Sequence, residues 1–174
     1  IPPGTTGLSL SITVPGIGIS QNQALGINNN PKRPQRSAQV SLINSGNQQV
    51  ATFNATVNFD SATGRYKGNV GLGNNFISGS YLVKVRLDNT LWKTIPGIQN
   101  ITSGQTYNAP EAALVTGDII QDNEINLLDY NALLSCYGNN ACTTKVQADV
   151  NDDDKVDELD INILYAGFAK RVGD

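Results

Sequence analysis

The chain has 174 residues, a formal net charge of -3, and neither histidine nor methionine. Without histidine the usual general base, triad member and zinc ligand are missing, which argues against the common hydrolase and zinc chemistries. Twelve of the fifteen acidic residues but only four of the twelve basic ones follow Thr116, leaving -8 there against +5 before it. That change of sign predicts a module boundary and argues against nucleic acid as a partner, since phosphate binding needs clustered Lys and Arg.

The first four residues, Ile1-Pro2-Pro3-Gly4, carry no signal-peptide pattern and read as the start of a mature or trimmed chain. No apolar run approaches the roughly 20 residues that span a bilayer, so no membrane insertion is expected. Residues 8–14, Leu-Ser-Leu-Ser-Ile-Thr-Val, alternate apolar with small polar side chains, the period of a half-buried strand. Residues 16–37, rich in Asn, Gly, Gln and Pro with Lys32, Arg33 and Arg36, read mostly as loop, with a short strand at 17–19. Further strands are predicted over residues 38–43, 50–59, 66–72, 81–87, 92–95 and 98–107, separated by turn-forming Gly, Asn and Asp.

About seven short strands in a hundred residues suggest a mostly β, immunoglobulin-like sandwich over residues 1–110. The acidic residues 115–174 then form a small α-helical, EF-hand-type domain. Trp92 and the dispersed tyrosines suit either a platform for polysaccharide or ordinary core and edge packing. No G-x-S-x-G elbow or phosphate-binding glycine loop with its lysine occurs, so no catalytic residue is assigned and the chain reads as a non-enzyme.

The densest signal spans residues 149–160, which match the twelve-residue calcium loop with an oxygen donor at positions one, three, five, seven, nine and twelve. Asp149, Asn151 and Asp153 offer side-chain oxygens and Lys155 its carbonyl. Asp157 offers a carboxylate directly or through water, and Asp160 closes the shell. Calcium suits such a set because it takes six to eight hard oxygen ligands in irregular geometry. Asp154 stands at the sixth position, where glycine is usual; aspartate visits the left-handed region more readily than other residues with a Cβ.

A second copy lies 31 residues earlier, where Asp118, Asp122, Glu124, Asn126 and Asp129 align with Asp149, Asp153, Lys155, Asp157 and Asp160. The register continues at helical spacing, pairing Asn131 with Asn162, Leu133 with Leu164, and Tyr137 with Phe168. Ile120 occupies the third position of this first loop and has no side-chain oxygen, so two calcium ions are expected with the first bound more weakly.

An aspartate-closed loop followed by one helix, given twice, resembles the type I dockerin with its paired F-hand motifs, over residues 115–172. The resemblance implies calcium in each loop, a short β-bridge between Ile125 and Val156, and docking onto a β-sandwich partner called cohesin. Leu127-Leu128 and Glu158-Leu159 stand where that family often has Ser and Thr for cohesin contact. The leucines therefore suit packing on the same chain or on a different protein partner equally well.

Cys136 and Cys142 are the only cysteines, and their separation lets the chain turn back to join them. A disulfide implies an oxidising, extracellular or cell-surface location. Three functions fit: a calcium-stabilised adhesion or scaffolding module, a carbohydrate-binding sandwich targeted to a cohesin-bearing complex, and a surface-filament subunit whose first strand pairs with a neighbour's sheet.

Overall fold

The structure is a computed structural model that describes residues 5–19, 25–139 and 141–174. Residues 1–4, and residues 20–24 of the expected loop, lie outside the described residues. Nine strands follow in order: β1 Thr6–Thr13, β2 Gln35–Ile43, β3 Gln49–Asp60, β4 Arg65–Gly73, β5 Gly79–Leu87, β6 Lys93–Thr94, β7 Gln99–Ile101, β8 Thr106–Asn108 and β9 Ala112–Ala113. Three short helices follow, α1 Leu127–Cys136, α2 Lys145–Ala148 and α3 Glu158–Gly167.

The alternation in β1 puts Leu8, Leu10 and Ile12 in the core. The strand has partners on both sides, running antiparallel to β4 and parallel to β8 and β9. The region expected as a strand at 17–19 makes only isolated bridges, Ile17 to Val14 and to Asn28. Turn chemistry then sets the hairpins. Asn44 accepts the amides of Gly46 and Gln48 between β2 and β3. Asp60 accepts the amide of Ala62, the hydroxyl of Thr63 and the ammonium of Lys67 between β3 and β4. Its hydrogen bonds to Lys67 and Thr63 hold this carboxyl down at about 2.

The architecture corrects the expected immunoglobulin-like sandwich with a helical EF-hand-type domain. The strands form one sheet in the order β6-β5-β2-β3-β4-β1-β8, with β7 added to β5 and β9 to β1. Hydrogen bonding therefore continues around the molecule into a nearly closed, barrel-like sheet. The cause is β3: its twelve residues pair with β2 along most of their length, and the last four, from Val57 to Asp60, also pair with β4. The helical part is likewise smaller than expected, with helices of ten, four and ten residues and no helix leading into the first loop.

Two apolar clusters result. Strand residues such as Leu8, Val40, Val57, Tyr66 and Val85 fill the first. The second joins Ile119, Ile125, Leu133, Val150, Val156, Ile163 and Leu164 to Leu25 and Leu91, so the acidic segment shares its core with the strand-rich part. Backbone pairing reinforces this junction, with Thr90 bridged to Thr116 and the Gly117 amide donating to Asn89. Gly167 is required for the close fit of α3, since a Cβ there would lie 2.6 Å from the Thr116 carbonyl oxygen and 2.8 Å from Ile125.

Cys136 and Cys142 form a disulfide between α1 and α2. A loop this short restricts the unfolded chain only modestly, by about 2 kcal/mol. Reduction should therefore lower the free energy of unfolding by about 2 kcal/mol in a denaturant titration at fixed calcium; no change would contradict the assigned role.

Candidate metal centres

Helix starts position the closing residues of both loops. Asn126 is the N-cap of α1 and Asp129 its third residue; Asp157 and Asp160 hold the same places in α3, each pair forming a reciprocal capping box. The twelfth-position aspartate thus lies in the first helical turn, where the partial positive charge of the helix favours an anion. Asn126 also accepts the Leu128 amide at 2.7 Å and Asp157 the Leu159 amide at 2.9 Å.

The two loops fold alike residue by residue. The fourth positions, Gln121 and Asp152, have φ of 62° and 61°, and the sixth, Asn123 and Asp154, have 69° and 76°. These left-handed turns wrap the chain around the first-position carboxylate. Asp118 accepts the amides of Asp122 and Asn123 at 3.0 Å each, and Asp149 those of Asp153 and Asp154 at 3.0 and 2.8 Å. The twelfth-position carboxylate binds from the other side. Asp129 accepts the amides of Ile119, Ile120 and Asn126, and Asp160 those of Val150, Asn151 and Asp157. At the fifth positions, Asp122 and Asp153 accept from Glu124 and Lys155. At the third, Asn151 accepts from Asp153, whereas Ile120 has no oxygen to offer and is 43% exposed.

Among the described residues, no three His, Cys, Asp or Glu side chains are gathered closely enough to hold a metal ion by themselves. The expected donor set is wider, including Asn126, Asn151 and the carbonyls of Glu124 and Lys155. The fit to a cation rests on charge. Asp118, Asp129, Asp149 and Asp160 are at most 5% exposed, and none forms an ion pair with Lys or Arg among the described residues. Burial pushes the Asp118 and Asp149 carboxyls up to about 6 and Asp160 to about 7, neighbouring carboxylates add to the rise, and the backbone amides oppose it. Buried carboxylates in this condition take up either a proton or a metal cation.

The expected bridge between Ile125 and Val156 is replaced by a crossed exchange. After α1, the Gly138 amide donates to Val156 in the second loop; after α3, Arg171 accepts from the Ile125 amide in the first. Both eighth-position side chains remain buried in the second cluster.

A further group of residues, not evident from the sequence, meets at the second loop. Asp152, which is 1% exposed, accepts the Arg33 amide and Nε at 2.7 Å each, and Arg36 approaches it at 3.4 Å. Asn28 donates to the carbonyls of Asn151 and Asp152, and Lys32 donates through its amide to Asp152. The one available signal was the basic run of Lys32, Arg33 and Arg36 on a chain whose other end is acidic. Trp92, the aromatic considered for sugar binding, is half-buried with the Arg86 guanidinium 4.9 Å from its ring centre. No described helix is long and apolar enough to cross a membrane. Neither the protein-family models nor the curated proteins searched give a match to this chain.

The raised carboxyls set the pH response of the protein stripped of metal. With folded values near 6 to 7 and an ordinary value of 3.8, the folded state binds more protons than the unfolded state between about pH 4 and 7. Stability from these groups is complete below the ordinary value and is lost as pH rises through the folded values. Thermal melting in chelator should therefore give a higher midpoint at pH 5 than at pH 7.5; the reverse order would contradict the burial argument.

Proposed function

We propose that the chain is a calcium-binding, non-enzymatic adhesion or scaffolding module in which the loops at residues 118–129 and 149–160 each take one ion. The observation carrying this reading is the repeated loop geometry: matching left-handed turns enclose buried carboxylates, Asp118, Asp129, Asp149 and Asp160, that form no ion pair with Lys or Arg among the described residues. In the second loop Asp149, Asn151, Asp153, the Lys155 carbonyl, Asp157 and Asp160 would supply the oxygens. In the first, Asp118, Asp122, the Glu124 carbonyl, Asn126 and Asp129 would do so. Calcium supplies positive charge to a segment of charge -8, and ligand binding to the folded state alone adds folding free energy.

The loop-and-helix repeat, which resembles the type I dockerin, favours a protein partner, either cohesin-like or another surface scaffold. Leu127 and Leu128, at the tenth and eleventh positions of the first loop, are 70% and 58% exposed and free to meet it. The second loop differs, because Leu159 lies against Gly26 of the same chain. The Cys136–Cys142 disulfide fits an oxidising, extracellular setting.

Calorimetric titration with calcium tests the reading: two ions should bind, the weaker in the first loop. Replacing Ile120 with aspartate restores a side-chain oxygen at the third position and should tighten the weaker site by at least about ten-fold, or about 1.4 kcal/mol. Asp160→Ala should remove the stronger site. Titration of the unaltered chain without heat or stoichiometric uptake in millimolar calcium would refute the reading.

A further inference from the structure

The second loop is tied to the strand-rich part by a buried charge cluster that, among the described residues, has no counterpart in the first. Asp152 and Gln121 share the fourth position and nearly the same φ, yet Asp152 is buried and Gln121 is exposed. Arg33 reaches across three groups, pairing with Asp152 and Asp88 at 2.7 Å each and donating to the Asp149 carbonyl at 3.3 Å. Asp149 is the first-position residue, so the backbone at the loop entrance is held from the sheet side. Arg36, at the start of β2, lies deeper, with a side chain 1% exposed. It sits 3.4 Å from Asp152 and 3.6 Å from Asp88, with its guanidinium 5.3 Å from the ring centre of Tyr66.

Among the described residues all three guanidinium nitrogens of Arg36 lack a hydrogen-bond partner of good geometry, so charge and the aromatic ring are what hold it. A fully buried cation is costly unless its counter-charges stay in place, and here those counter-charges are Asp88 and Asp152. The need to neutralise Arg36 therefore constrains where the fourth position of the loop can sit.

We infer that Arg36, together with Arg33, is a positioning residue for the second metal centre, holding residues 149–152 in the curvature that points the Asp149 and Asn151 side chains toward a bound cation. Asp152 does this through its contacts on the outer side of the loop and is not itself a ligand. Coupling is reciprocal: a cation that favours the curved loop also favours the cluster, so calcium at the second loop stabilises the junction with β2. The inference rests on the calcium reading and adds that the affinity of the second loop is set partly from outside the acidic segment.

Site-resolved calcium titration of the whole chain by amide NMR, with Asn123 reporting the first loop and Asp154 the second, tests it through Arg36→Met. Positioning predicts calcium binding at the second loop weakened by about ten-fold to a hundred-fold, as for other outer-shell metal contacts, with the first loop unchanged. A purely electrostatic role predicts the opposite sign, because deleting a nearby cation strengthens the attraction for calcium. Unchanged or tighter binding at the second loop would overturn the inference. Should R36M fail to fold in saturating calcium, Arg36→Lys keeps the charge but loses the planar reach to both carboxylates. It should weaken the second loop several-fold and spare the first, and wild-type affinity in it would equally overturn the inference. Absence of calcium uptake by the unaltered chain would instead sink the calcium reading itself.

Discussion

Buried negative charge is the constraint around which the C-terminal part of this protein is organised. Asp118, Asp129, Asp149, Asp152 and Asp160 are all nearly inaccessible to solvent, in a chain whose last third is strongly acidic. Backbone amides alone supply hydrogen bonds to four of them, yet hydrogen bonds do not cancel a charge removed from water. Among the described residues, only Asp152 of these five is matched by cations of the protein, Arg33 and Arg36. The other four are arranged in two pairs, one at the entrance and one at the close of each loop, where the proposed divalent ion in each loop would neutralise them.

The same constraint accounts for the union of the acidic segment with the sheet. A segment with helices of ten, four and ten residues buries little apolar surface of its own, which makes a small domain marginal. It gains more by sharing a cluster with Leu25 and Leu91 and by receiving the arginines that precede and begin β2. The first loop is tied by other means, with the Trp92 amide donating to Asn123 and Gly117 donating to Asn89. The two halves of the repeat therefore match in backbone geometry but differ in how the sheet supports them.

What the sequence made legible was local and periodic. The 31-residue repeat, the matching turns and helix starts of its two loops, and the nearness of Cys136 to Cys142 all depend on spacing along the chain. Long-range pairing was not legible. Alternation in β3 indicates a strand but not that its end joins β4 and carries one sheet around the core, so the pattern alone is equally that of a two-sheet sandwich. The arginine cluster was hidden for the same reason: Arg33 and Asp152 are 119 residues apart, and only folding brings them together. In place of the bridge expected between Ile125 and Val156, these residues bond to Arg171 and Gly138 beyond each helix, where the chain carries no recognisable motif.

In the proposed function, divalent cations neutralise the carboxylates enclosed by the two loops. Anomalous-difference density from crystals grown in millimolar calcium measures this directly. A peak is expected within coordination distance, about 2.3–2.6 Å, of oxygens from Asp149, Asp153 and Asp160, with a weaker one beside Asp118 and Asp129. Ordered loops carrying no anomalous peak at either place would contradict it.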